Sequence, residues 1–164
     1  MNIGVIFAGG VGKRMNSRVK PKQFIDVYGK PIIIHTLELF ENHPDIDAIA
    51  VACLEDWIPY LKDLLEKFNI KKVKKIVPGG ASGQESIYNG LKAAEEIANG
   101  EKSIVLIHDG VRPLINEKTI TDNIESVKKH GSSITCVKVK ETVLVVAEDN
   151  SIEDVPNRED TRLA

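Results

Sequence analysis

Near its start the chain runs through Ile3-Gly4-Val5-Ile6-Phe7 without a polar side chain and then turns through Gly9, Gly10 and Gly12. Such a run, ended by glycines, reads as a buried strand of an open α/β sheet. Ligands of these sheets sit outside the carboxyl ends of the strands, which is where this turn emerges. A glycine turn brings backbone N–H groups close to anionic oxygens. Lys13, Arg14, Arg18, Lys20, Lys22 and Lys30 follow it, against Asp26 as the sole acid of the first thirty residues, while the whole chain carries a formal charge of −2. A local positive cluster on a near-neutral chain points to one bound anion, and the glycine turn suits a polyphosphate. A plain strand-to-loop turn with a solvated basic flank is the other reading of these residues alone.

Familiar glycine motifs do not account for the segment. Met15 stands where the dinucleotide fingerprint needs its third glycine, which disfavours a nicotinamide dehydrogenase, and Arg14 follows Lys13 where a Walker A loop needs Ser or Thr. Kinase signatures are missing as well.

At 164 residues and 42% hydrophobic, the chain suits a single domain, 1–164. It holds no apolar run near eighteen residues and no signal-peptide pattern, so a cytoplasmic protein without a membrane partner is expected. Cys53 and Cys136 each lie among apolar residues of an expected strand and read as small core fillers. The histidines lack zinc spacing, and near-neutral charge with few aromatics gives no support for nucleic-acid binding.

Apolar β-rich runs at 48–53, 73–77, 103–108 and 133–137 alternate with helical spacing. Ile32, Ile33, Thr36, Leu37 and Phe40 fit a helix after Gly29-Lys30-Pro31; Leu61, Leu64, Leu65 and Phe68 fit a helix over 57–68; Ile87, Leu91, Ala94 and Ile97 fit another, as do Ile120, Ile124 and Val127. The expected architecture is a three-layer α/β sandwich around a mostly parallel sheet. Trp57 and Tyr60 read as packing residues. Beyond Lys140, a strand at 142–146 and a polar turn toward Ile152 and Val155 suggest a β-arm over about 139–160, whose apolar side a partner subunit could cover.

Two further segments carry chemistry. Within 78–91, Gly79, Gly80, Ser82, Gln84 and Ser86 could hold a nucleoside; equally, Ser82 or Ser86 could simply cap a helix. His108-Asp109-Gly110-Val111-Arg112-Pro113 follows a strand. Asp109 is a natural ligand for Mg²⁺, which often takes one or two protein carboxylates and completes its shell with phosphate and water. Anchoring Arg112 or a turn is the alternative role. His108 reads as a packing or hydrogen-bonding residue, because an ionised phosphate nucleophile needs no base.

Taken in order, Ala8-Gly9-Gly10-Val11-Gly12-Lys13-Arg14-Met15, Pro21-Lys22-Gln23, Gly29-Lys30-Pro31, the Gly79 to Ser86 loop and His108 to Pro113 resemble the sugar-alcohol-phosphate cytidylyltransferases. These include the 2-C-methyl-D-erythritol 4-phosphate enzymes of isoprenoid biosynthesis and the ribitol-5-phosphate enzymes that make CDP-ribitol. The resemblance implies a Rossmann-like nucleotidyltransferase domain that uses CTP, a polyol phosphate and Mg²⁺, and a homodimer formed through the arm. It implies catalytic roles for Arg14, Lys22 and Arg158, and nucleotide contacts from Ala8, Gly9, Gly10, Gly12, Lys13, Gly80 and Ser86. It further implies polyol-phosphate contacts from Arg112, Thr142 and Arg158, and a metal ligand in Asp109. The chain departs from the family pattern at Ala81, Gly83 and Arg162, and it stops at Ala164 before the family's Thr-Pro-Gln segment, closing strand and C-terminal helix. A non-catalytic nucleotide-binding or dimerisation module is the competing expectation.

Overall fold

The computed structural model describes residues 1–10 and 20–164. They divide into two compact units, Met1–Glu125 and Ser126–Ala164.

In the first unit, β1 (Asn2–Ala8), β4 (Ala48–Cys53), β5 (Val73–Pro78) and β6 (Ile104–Asp109) form a parallel sheet in the order β5-β4-β1-β6. The run Ala48-Ile49-Ala50-Val51-Ala52-Cys53 is buried at every position, as a strand covered on both faces must be. Alternation divides its side chains between two layers. Ile6, Ala8, Ile49, Val51 and Cys53 face one cluster with Ile33, Leu37 and Phe40 of α1 (Ile32–Asn42), Leu61 and Leu64 of α2 (Ile58–Lys67), and Ile120 and Ile124 of α4 (Glu117–His130). Ile3, Val5 and Ala50 face the other with Ala93 and Ala94 of α3 (Gly83–Ala98). The expected three-layer sandwich is therefore present, and each fully buried aliphatic side chain contributes roughly 1.5–3 kcal/mol to it.

Small residues allow the layers to close. A Cβ at Gly90 of α3 would lie 2.6 Å from Val5 Cγ1. Pro31 fixes the extended entry to α1 (φ −58°, ψ 143°). Tyr28 and Gly29, both at positive φ, make the two-residue turn between β2 (Asp26–Val27) and β3 (Lys30–Pro31), the sense of turn that matches strand twist. Trp57 and Tyr60 pack on Phe24, stacked at 4.9 Å and edge-on at 5.4 Å, in agreement with their expected structural role. His43 is buried between helices; its Nδ1 accepts from the Asp45 N–H, so Nε2 carries the hydrogen donated toward Glu117 O and Thr121 Oγ1.

In the second unit, β7 (Val137–Lys138) pairs antiparallel with β10 (Arg162–Leu163), and β8 (Val145–Val146) with β9 (Ile152–Asp154). The 145–154 hairpin turns through Asn150 at φ 65°, with Asp149 Oδ1 accepting from Ser151 N. The strand expected over 133–137 is shortened to Val137–Lys138, and Cys136, expected in the core, is exposed. Apolar β-rich composition reports only a preference; a strand also needs a neighbour, and within this unit β10 supplies one that is two residues long.

The thiols and one glycine test this packing. Burial pushes the Cys53 thiol up to about 12, so a thiol reagent at pH 8 should label Cys136 rapidly and Cys53 only after denaturation. Rapid native labelling of both would contradict the core assignment. Overpacking costs about 1–3 kcal/mol, against about 1 kcal/mol gained on replacing a helical glycine. Gly90→Ala should therefore lose about 1 kcal/mol in urea unfolding, whereas Gly83→Ala, with open space around it, should lose nothing.

Candidate functional site

Strand register sets where the candidate residues meet. Ala8 lies beside Cys53, Cys53 beside Pro78, and Phe7 beside Asp109, so the loops after β1, β5 and β6 all leave the same edge of the sheet. The chain steps outward from β1 to β4 and β5 on one side and returns to β6 on the other. That reversal opens a crevice at the carboxyl edge, the usual ligand position in such sheets.

Two glycine segments touch there. A Cβ on Gly9 would stand 2.5 Å from Ser86 Oγ and 3.2 Å from Gly79 Cα, and one on Gly79 would stand 2.9 Å from Gly9 Cα. Glycine at both positions lets the backbones lie against each other. Gly79 N–H donates to Cys53 O at 2.7 Å, continuing the ladder beyond the strand. Ser86 Oγ accepts from Gly80 N–H at 3.0 Å and donates to Ser82 O at 2.9 Å, which leaves a lone pair as its remaining hydrogen-bonding capacity. Ser82 is the helix cap, accepting from Glu85 N–H at 3.1 Å, and Glu85 Oε2 accepts from Ala81 N–H at 2.8 Å. The capped-helix reading of 78–91 thus describes the observed local structure, and the same bonds fix the loop beside Gly9. Ala8, Gly9, Gly80 and Ser86 form one group, while a Cβ on Gly10 would meet nothing within 4 Å among the described residues. Gly12, Lys13 and Arg14 lie outside the described residues.

Lys22 begins a short 3-10 turn, Lys22–Phe24, and has no ion pair among the described residues. The turn is anchored on both sides of its backbone: Gln23 Nε2 donates to Ala8 O at 2.7 Å, and Phe24 is fully buried. Lys20 stands 3.8 Å from Asp26 and over the Tyr60 ring.

At the end of β6, Asp109 Oδ1 accepts from Val111 N–H at 3.0 Å, and Oδ2 lies 3.7 Å from Arg112 Nε. The anchoring role considered for Asp109 is therefore observed. With its side chain 26% exposed, the carboxylate still has lone pairs to offer a hard cation. Among the described residues no group of three or more His, Cys, Asp or Glu could form a metal cage. A single half-buried carboxylate with free lone pairs fits Mg²⁺, which needs only one or two protein ligands. The turn itself is held by Gly110 N–H to Phe7 O at 3.0 Å and by buried Thr36 Oγ1 to Gly110 O at 3.0 Å. Burial holds His108 below its ordinary pKa, opposed by its bond to Arg112 O, so a neutral ring donates from Nε2 and packs at 5.5 Å from Phe40.

Thr142 and Arg158 belong to the second unit. Thr142 is exposed there, and Arg158 Nη1 donates to Lys140 O at 3.3 Å. Sequence reasoning named Gln23 within a motif and Thr36 on a helix face without giving either a bond, and gave Glu85 no role. Glu85 carried a legible signal, an acid three residues after a capping serine; the bonds of Gln23 and Thr36 join segments distant in sequence and left none.

Known proteins are similar to this chain in sequence and fold. The chain is 56% identical over 158 residues to a protein of Streptococcus agalactiae serotype Ia named ribitol-5-phosphate cytidylyltransferase, covering 96% of this chain and 66% of the relative. It is 43% identical over 159 residues to a 2-C-methyl-D-erythritol 4-phosphate cytidylyltransferase of Clostridium botulinum, covering 97% and 67%. The crystal structure of 4-diphosphocytidyl-2C-methyl-D-erythritol synthase from Anaerococcus prevotii superposes with a TM-score of 0.80 at 29% identity, over 99% of this chain and 66% of that one. The chain thus spans about two thirds of the length of these relatives. The sequence pattern of the family described as IspD, 2-C-methyl-D-erythritol 4-phosphate cytidylyltransferase, matches residues 3–164, and the chain belongs to that family.

Proposed function

We propose that this protein is a cytidylyltransferase that joins CMP from CTP to a polyol phosphate, giving a CDP-polyol and pyrophosphate. The observation that carries the reading is the convergence of the Gly9–Gly79 contact, the Lys22 turn and Asp109 on one sheet edge, in a family whose named members are cytidylyltransferases. An oxygen of the acceptor phosphate attacks the α-phosphorus in line with the departing pyrophosphate. Both reactants are anions, so the protein must hold them together against repulsion and meet the charge that builds on the reacting phosphate.

Each side chain has a part in that task. Ala8, Gly9, Gly10, Gly12, Gly80 and Ser86 hold the nucleotide, with Lys13 on its triphosphate. Arg14 and Lys22 stabilise the reacting phosphate. Arg112, Thr142 and Arg158 bind the acceptor phosphate, and Arg158 has a catalytic role as well. Asp109 would hold Mg²⁺, which supplies a hard positive charge shared with phosphate oxygens.

The identity of 56% to a protein named for ribitol 5-phosphate, against 43% to one named for methylerythritol phosphate, supports D-ribitol 5-phosphate as acceptor. Exposed Leu144, Val145, Val146, Ile152 and Val155 on and beside the hairpin support a homodimer through this arm. A cytoplasmic site belongs to the same proposal; no helix of the described residues is long and apolar enough to cross a membrane.

Pyrophosphate release should be measured with CTP, ATP, GTP and UTP against ribitol 5-phosphate, methylerythritol 4-phosphate and a sugar 1-phosphate, with and without Mg²⁺. Turnover is expected with CTP and ribitol 5-phosphate and should cease on chelation. Activity confined to UTP and the sugar 1-phosphate would refute the assignment, and CTP binding without turnover would favour a non-catalytic module. Lys22→Ala should lower kcat roughly a hundredfold, as loss of one preorganised charge contact does; full turnover with chemistry limiting would remove its role.

A further inference from the structure

We infer that Gln23 is a positioning residue: its side-chain amide ties the Lys22 turn to the end of β1 and so sets where the Lys22 ammonium stands. The inference rests on the proposed role of Lys22. Gln23 is 1% exposed, an unusual place for a long amide, and burying one is costly unless it is bonded. Its Nε2 donates to Ala8 O at 2.7 Å, joining residues fifteen apart in sequence. Ala8 is the last residue of β1, an interior strand with a neighbour on each side, and lies beside Cys53 of β4. The bond therefore ties the turn to the end of an interior strand.

A second anchor lies one residue on. Phe24 is fully buried and stacks on Trp57 at 4.9 Å. Phe24 N–H donates to Pro21 O at 2.9 Å and Ile25 N–H to Lys22 O at 3.2 Å, so the turn is a small closed unit. Phe24 alone would hold it by apolar contact, which tolerates sliding; a hydrogen bond to a carbonyl fixes distance and direction. With Gln23 inward, its neighbour Lys22 is left half-buried and without an ion pair among the described residues. Displacing a reacting-phosphate contact by an ångström can cost about a hundredfold in rate, so the amide acts on turnover through the lysine.

Gln23→Met keeps the length of the side chain and removes the donor. It should lower kcat roughly tenfold or more and leave KM for CTP within about threefold. In a Lys22→Ala background the same change should alter kcat less than about twofold, because residues acting through one another are not additive. An equal loss in both backgrounds, or no loss in the single variant, overturns the inference. Gln23→Asn, which keeps an amide but falls one methylene short of Ala8 O, carries the same cycle should the methionine variant not fold. Hydrogen exchange gives a readout independent of turnover. The Phe24 and Ile25 amides should exchange at least about tenfold faster in either variant, with β4 unchanged. Unaltered exchange there overturns the tether even in an active enzyme, whereas faster exchange in a protein whose wild type lacks turnover leaves the tether standing and defeats the functional reading instead.

Discussion

Two backbones in contact, at Gly9 and Gly79, decide what the carboxyl edge of this sheet can be. The parallel ladder brings the ends of β1, β4 and β5 level, and Gly79 extends it by bonding to Cys53 O. Side chains at either glycine would hold these two loops apart. Without them, Ser86 can bond Gly80 and Ser82 directly beneath Gly9, and the start of α3 becomes a wall of the crevice. The site is therefore a property of sheet register first and of individual functional groups second.

The cationic side of the crevice is built differently. Lys22 sits on a short turn outside the sheet and inherits precision from Gln23 and Phe24. Asp109 ends β6, and Thr36 of α1 steadies the turn that follows through Gly110 O. Each charged group thus stands on a small support tied to β1 or to the core packed on it. Such supports matter where two anions must be brought together, because attraction alone does not align them.

Much of the first unit was legible. The unbroken apolar run at 48–53 and helical spacing in 57–68 and 87–97 left few other folds available, and glycines placed after β1 and β5 marked the ligand edge. The 133–137 run misled because strand propensity is local while pairing is not; Ile134 and Cys136 remain exposed. The bonds of Gln23 and Thr36 were invisible for a related reason. A buried polar side chain is explained by its partner, and their partners, Ala8 O and Gly110 O, are backbone atoms far along the chain. Asp109, by contrast, was legible as a carboxylate at a strand end that anchors Arg112 and the following turn, whereas the bonds that hold Ser86 Oγ, to Gly80 N–H and Ser82 O, were not.

The central claim is that a cytidine triphosphate is received at this edge, between the two glycine segments. Backbone NMR shift mapping of the protein titrated with CTP and Mg²⁺ tests it most directly. Perturbations should cluster at residues 8–10, 22–24, 79–86 and 109–112. Perturbations confined to the groove between α3 and β6, around Tyr88, Lys92 and Glu101, would contradict the account.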